Sequence, residues 1–159
     1  MILYHGSNVA VREPRLLRVQ RDLDFGRGFY TTSDFDQAAK WARRTALRLK
    51  QKDAFVSVYE ADDEKMQALN VLRFTELGGE WLRFVTQCRK GRAPTDLWDL
   101  ICGPVANDQT MPVIDLYLDG MYDEAEAVKR LLPQKLKDQY TFKTEAAIRL
   151  LHCKEVIRL

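Results

Sequence analysis

Short apolar segments of strand length alternate irregularly with longer amphipathic segments, and this order constrains the fold more than any other feature of the chain. Residues 1–5 and 28–32 predict strands, and a helix capped by Ser33 or Asp34 follows them. Further strands are predicted at 54–60, 70–74, 98–105, 140–143 and 154–157, and further helices at 76–90, 112–118, 123–132 and 144–151. Because strands and helices do not alternate regularly, the order favours an α+β fold over a regular parallel α/β sheet.

Length and composition favour one domain spanning residues 1–159. The chain has 159 residues, of which 46% are hydrophobic and 30% charged, and it contains no repeat and no Gly/Ser/Pro-rich linker. We find no apolar run of the roughly 18 residues that a membrane span needs, and no secretory signal at the N-terminus. These features predict a cytoplasmic protein without a membrane partner.

The cysteine and histidine content predicts neither disulfides nor a metal site. Three cysteines, an odd number, lie far apart, and the two histidines do not stand at ligand spacing from them. The net charge of +2 is too small to imply a nucleic-acid partner by itself. Two basic series are interpreted as solvated surface: Arg12, Arg15, Arg18 and Arg21, and then Arg43, Arg44, Arg48, Lys50 and Lys52.

Two segments carry residues that ordinary packing does not require. Tyr4-His5-Gly6-Ser7 places polar residues and a glycine at the end of an apolar strand, where a ligand can approach the backbone. Asp24-Phe25-Gly26-Arg27-Gly28-Phe29-Tyr30 combines two glycines, a cation and an aromatic pair. The glycines permit a sharp turn, and the aromatic rings offer flat faces to a planar ligand. Together the segments predict a binding site.

These segments, followed by the helix opening Gln37-Ala38-Ala39-Lys40-Trp41-Ala42, resemble the NAD+-binding signature of poly(ADP-ribose) polymerase-like ADP-ribosyltransferases. The whole chain also resembles an uncharacterised bacterial group of domain-of-unknown-function proteins, through residues 80–82, 103–108 and 138–139. The resemblance implies a split, twisted β-sheet with flanking helices and NAD+ as co-substrate in the cleft between its halves. It implies no metal.

The resemblance also assigns roles to individual residues. His5 would bind a ribose hydroxyl, the Gly6 backbone would hold the nicotinamide carboxamide, and Tyr30 would pack against the nicotinamide ring. Trp41 would take the place of a second stacking tyrosine, while Ala38 replaces a carboxamide-binding serine and removes one hydrogen bond, typically worth about 0.5–1.5 kcal/mol. The remaining expected NAD+ contacts are Ser7, Arg27 (toward the pyrophosphate), Gly28 and Phe29.

Gln139 occupies the position where the related enzymes usually carry a catalytic glutamate. A carboxylate there stabilises the oxocarbenium-like transition state as nicotinamide leaves. Glutamine can still bond the ribose hydroxyl but brings no formal charge. Glu145 is the rival candidate, although its place at a predicted helix start also suits the helix dipole.

The leading functional expectation is an enzyme that transfers a single ADP-ribose unit from NAD+ to a macromolecular acceptor and releases nicotinamide. The resemblance suggests a bacterial toxin of a toxin–antitoxin or phage-related system, with a small antitoxin protein as partner. Two alternatives stay open. One is a non-catalytic module that binds NAD+ or ADP-ribose, and the other is an NAD+-dependent RNA 2′-phosphotransferase, in which Arg43 and Arg44 would hold RNA phosphate.

Overall fold

The computed structural model describes residues 1–17, 23–93 and 97–159. Within these ranges the strands are β1 Ile2–Ser7, β2 Phe29–Thr31, β3 Phe55–Ala61, β4 Val71–Arg73, β5 Leu100–Pro104, β6 Asp138–Phe142 and β7 Leu151–Arg158. The helices are α1 Phe35–Arg48, α2 Asp63–Gln67, α3 Gly79–Arg89, α4 Met111–Leu118, α5 Glu124–Leu131 and α6 Glu145–Ile148. The predicted α+β class is confirmed. No helix in these ranges has the length and apolar character needed to cross a membrane.

The strands form two sheets that meet at one point. The first sheet has the order β1-β3-β7 and is antiparallel, whereas the second has the order β2-β6-β5-β4 with β4 parallel to β5. Tyr4 of β1 and Thr32, just after β2, form an isolated antiparallel bridge, with N–H···O distances of 2.8 and 3.0 Å. Beyond this bridge β1 and β2 belong to different sheets and share no ladder, and we call this interruption of strand pairing beside Gly6 the opening between β1 and β2.

Helix α1 packs unusually close to β1. The Asp34 carboxylate caps it by accepting from the Gln37 amide at 2.8 Å, as predicted. The buried face of α1 carries only alanines between its ends: Ala38, Ala39, Ala42 and Ala46. A Cβ atom on Gly6 would lie 1.9 Å from the carbonyl oxygen of Ala38. Small residues on both elements therefore bring the helix backbone against the strand backbone.

Strand β2 separates the two larger hydrophobic clusters. The first contains Leu3, Phe29, Tyr59 and Phe142, and the second contains Phe25, Trp81, Leu82 and Ile101. Neighbouring residues of a strand point to opposite faces, and accordingly Phe29 packs in the first cluster while Tyr30 packs against the second. The strand thus presents Tyr30 to the face of the second sheet that α3 covers.

Several boundaries differ from the sequence-based expectation. Helix α2, capped by Asp62, was not predicted because its five residues are too short to show a helical repeat. Helix α6 ends at Ile148, since Leu151 already pairs with Ala61 as the first residue of β7. Strand β6 begins at Asp138, two residues before the predicted start, and so includes Gln139.

Candidate functional site

His5 is fixed in one orientation by main chain and by an aromatic ring. Its Nδ1 atom lies 2.7 Å from the carbonyl oxygen of Tyr30, and its ring stacks on Phe29 with centroids 4.4 Å apart. Burial lowers the pKa of His5, with a smaller opposing effect from this backbone contact. Because a carbonyl oxygen only accepts, Nδ1 of the neutral ring carries the proton, and Nε2 is left as an acceptor.

The backbone of Gly6 faces the opening between the sheets. In an antiparallel strand, the N–H and C=O groups of successive residues point alternately to the two sides. Tyr4 directs both groups to Thr32, so those of Gly6 point to the same side, where β1 and β2 have separated. Gly6 is buried, and no partner for these two groups is found within residues 1–17, 23–93 and 97–159. Buried peptide groups require hydrogen-bond partners, so this edge is suited to bind a ligand amide.

The phenol of Tyr30 holds the glycine turn that precedes β2. Its hydroxyl donates to the Gly26 carbonyl at 2.5 Å and accepts from the Phe25 amide at 3.1 Å. Burial raises the pKa of Tyr30 above its usual value near 10. Gly26 has a φ of 69°, which favours glycine, and Lys143 donates to the Phe25 carbonyl at 2.7 Å. The turn is therefore rigidly held around Tyr30.

The other motif residues have structural contacts of their own. A Cβ atom on Gly28 would lie 2.5 Å from Cγ2 of Thr141, so this glycine allows β2 to pack on β6. Arg27 is exposed, and its Nε donates to the Leu17 carbonyl at 2.6 Å. Phe29 is 7% exposed and lies in the core beneath His5. Ser7 accepts from the Val9 amide at 3.3 Å.

Gln139 is buried with an unsatisfied side chain. It is 4% exposed, and its Nε2 atom has no hydrogen-bond partner among the described residues; the same holds for Oγ1 of Thr141. Thr141 is opposite Tyr30 in the ladder and two residues from Gln139, so all three side chains point to one face of the second sheet. Glu145, the rival candidate, is exposed at the first position of α6.

Helix α1 packs on the first sheet and is also connected to the second. Gln37 donates to the Asp138 carbonyl at 3.0 Å, which ties α1 to the start of β6. One turn later the side chain of Trp41 is 44% exposed, so it is not part of the core. Arg44 then forms an ion pair with Asp108, in the loop that precedes α4. Trp41 therefore stands between two contacts that connect α1 to the second sheet and its loop.

The structure brings some of the predicted residues together and separates others. The side chains of Tyr30 and Gln139 share one face of the second sheet. The His5 ring instead packs on Phe29, and it contacts only the main-chain carbonyl of Tyr30. A cleft of about 330 Å³ also opens beside β6, lined in part by Arg73, Cys102, Pro104, Asp138 and Tyr140. Neither His5 nor Tyr30 lines it.

Sequence reasoning missed two carboxylates that position the site. Asp24 is 6% exposed; it forms an ion pair with Arg89 and accepts from the Ala106 amide at 3.0 Å. Asp138 accepts from the Ser33 amide at 2.9 Å and from the Thr32 hydroxyl at 3.1 Å. Asp24 begins the glycine-rich segment 24–30, but its partners lie 65 and 82 residues further along the chain. No local sequence pattern can predict contacts over such separations.

The first basic series is described in part. Arg18 and Arg21 of the first basic series lie outside the described residues. Arg12 and Arg15, the other members of that series, are exposed.

Comparison with known proteins gives a family but no function. Neither the curated proteins nor the solved structures contain a match to this chain. Over residues 1–153 it matches the model of a family described as "Protein of unknown function (DUF3990)". Since the match covers nearly the whole chain, the protein belongs to this family.

Proposed function

We propose that this protein is an NAD+-dependent mono-ADP-ribosyltransferase, with the nicotinamide end of NAD+ bound where β1 and β2 separate. The observation that carries the proposal is the orientation of Gly6, whose buried N–H and C=O groups point into that opening. A carboxamide has one carbonyl acceptor and an NH2 donor, and it can pair with both groups as a neighbouring strand would. The resemblance of the sequence motifs to ADP-ribosyltransferases supports the same assignment.

His5 and Tyr30 prepare the two sides of this opening. The Nδ1 contact of His5 leaves Nε2 as an acceptor for a ribose hydroxyl, and the lowered pKa of His5 keeps the ring neutral near pH 7. Tyr30 is held by hydrogen bonds to residues 25 and 26, so its ring offers a preorganised surface against the pyridine. In this proposal the exposed ring of Trp41 on α1 stacks on the nicotinamide from the other side.

Gln139 is the residue proposed to act on the reacting sugar. Its unsatisfied Nε2 and its side-chain carbonyl can orient the 2′-hydroxyl of the nicotinamide ribose. The bond between C1′ and the pyridinium nitrogen then breaks, and its electron pair leaves with neutral nicotinamide. A nucleophilic oxygen or nitrogen of the acceptor attacks C1′ and loses its proton. Because glutamine brings no charge to the oxocarbenium-like state, we expect slow, single-unit transfer.

The first experiment measures nicotinamide release and NAD+ binding on the same protein samples. Gln139→Ala is expected to reduce release about 100-fold, comparable to the loss of one transition-state hydrogen bond, while NAD+ affinity changes less than about 3-fold. Glu145→Gln is the matched control, since it removes the exposed rival carboxylate and leaves both quantities unchanged.

The possible outcomes separate the competing functions. Binding without release would favour a non-catalytic NAD+ module, and loss of release in Glu145→Gln alone would move the catalytic role to Glu145. If the wild-type protein fails to bind NAD+ at millimolar concentration, the proposal is wrong.

A further inference from the structure

Helix α1 and the turn after it carry a continuous surface of positive charge. Residues 37–52 contain six lysines or arginines and no acidic residue. All six are exposed, and we call them the basic face: Lys40, Arg43, Arg44, Arg48, Lys50 and Lys52. Residues three or four apart on a helix are about 5–6 Å apart at Cβ, so the four cations within α1 form a closely spaced row.

Most of this charge has no ion-pair partner in the part of the chain that the structure describes. Within the described ranges, Arg44 alone of the six forms an ion pair, with Asp108, whose pKa is lowered mainly by Arg44 and to a smaller extent by Lys40. That ion pair is exposed on both sides, so a phosphate group can compete for the guanidinium. A row of closely spaced cations attracts polyanions.

Lys50 adopts a backbone conformation that is unfavourable for lysine. It follows the C-cap of α1 with a φ of 54°, the left-handed conformation in which glycine is usual. It is the only non-glycine residue with positive φ in the described part of the chain. A lysine at this position costs stability relative to glycine, which points to a role for the ammonium group outside folding.

The other exposed side chains favour nucleic acid over a membrane surface. The apolar stripe of α1 is buried against β1 and β3, so the helix cannot insert into lipid with that stripe. Trp41 lies at the edge of the basic face, and an exposed indole can stack with an unpaired base. Cations that follow a backbone, together with an aromatic platform, are the features that single-strand-binding surfaces combine.

We propose that the basic face binds single-stranded nucleic acid, with its phosphates along α1 and a base stacked on Trp41. The proposal concerns binding without NAD+, and it therefore does not depend on the function proposed above.

The test is fluorescence anisotropy of a labelled 20-nucleotide single-stranded DNA with the full chain. The double charge reversal Arg43→Glu/Arg48→Glu is expected to weaken binding at least 10-fold and to reduce the salt slope by about 1.4, since each lost phosphate contact contributes about 0.7 for single strands. Lys129→Glu/Lys135→Glu is the matched control. It changes the net charge equally at exposed cations outside the basic face, and affinity should change less than about 3-fold by long-range electrostatics alone.

Lys50→Gly separates binding from folding. It is expected to raise Tm by about 2 °C, because it relieves the left-handed backbone strain, and to weaken DNA binding about 3-fold by removing one phosphate contact. A variant that is more stable but binds less cannot be explained by damage to the fold.

Three results would overturn the proposal. These are no saturable binding of the DNA at low salt, equal weakening by the two double reversals, or binding to phosphatidylserine vesicles without binding to DNA.

Discussion

The close approach of α1 to β1 gives the most quantitative prediction, for Gly6→Ala. The added Cβ would lie 1.9 Å from the Ala38 oxygen, 2.8 Å from the Ala38 carbonyl carbon and 3.0 Å from the Ala42 nitrogen. All three atoms belong to the helix backbone and cannot rotate away. Ordinary contact begins at 3.4 Å, so the helix must move by the difference between 3.4 and 1.9 Å, about 1.5 Å.

The expected cost is large for a single methyl group. Overpacking a core typically costs about 1–3 kcal/mol, and the rigid obstacle places Gly6→Ala at about 3 kcal/mol or more. For a chain of this length that loss corresponds to a Tm decrease of about 6–12 °C. Urea unfolding followed by circular dichroism measures the change in the free energy of unfolding, and an unchanged m-value will show that the folded state remains compact.

Two other glycines serve as controls for Gly6→Ala. A Cβ on Gly78 would meet only the end of the Glu76 side chain, at 3.0 Å, so Gly78→Ala should cost less than about 1 kcal/mol. Gly120 has a φ of 75° and open space around it, so Gly120→Ala measures backbone strain without crowding, about 1 kcal/mol. If Gly6→Ala costs no more than these two variants, the packing of α1 on β1 described above is incorrect.

Three further predictions follow from buried polar groups. Tyr30→Phe should cost about 1–3 kcal/mol at pH 7 because it leaves the Phe25 amide and Gly26 carbonyl unpaired. Burial raises the pKa of Tyr30 in the folded state, so the contribution of Tyr30 to the free energy of unfolding is complete below pH 10 and decreases as the pH rises above 10. Above pH 10 the free energy of unfolding, measured by urea titration, should therefore fall less in Tyr30→Phe than in wild type. Burial lowers the pKa of His5 below 6.5, so the stability that neutral His5 contributes is complete above pH 6.5 and is lost as the pH falls toward the pKa of the folded state. His5→Gln should therefore flatten the pH profile of Tm between pH 6.5 and that lower pKa. Asp24→Asn should cost about 3 kcal/mol because Arg89 loses its buried partner, and Glu124→Gln, which breaks an exposed ion pair with Arg83, should cost less than about 1 kcal/mol.

The sequence was sufficient to predict most elements and the α+β class. Apolar strand segments and the Asp34 cap are local signals, and each corresponds to an observed element. Helix α2 and the early start of β6 were not predicted, because five-residue elements carry too few positions for a periodicity. The division into two sheets was suggested by family resemblance alone, since strand order depends on contacts between distant residues.

The candidate site was predicted less completely than the fold. The two sequence motifs predicted site roles for His5, Gly6 and Tyr30. In the structure these residues lie near the bridge that joins the two sheets. The structure adds a packing reason for two of the glycines that the motifs did not indicate: Gly6 accommodates α1 and Gly28 accommodates β6. The roles of Asp24 and Asp138 depend on distant partners, which the sequence alone does not reveal.

The central claim, that the Gly6 backbone receives the nicotinamide carboxamide, can be tested at a single amide. His5-Gly6 is the only His-Gly pair in the chain, so carbonyl-13C histidine with 15N-glycine labels one peptide bond uniquely. We predict that titration with NAD+ shifts this resonance with the same dissociation constant as the quenching of tryptophan fluorescence, and that ADP-ribose, which lacks the carboxamide, shifts it much less. An unchanged Gly6 resonance at saturating NAD+, or an equal shift with ADP-ribose, would contradict the claim.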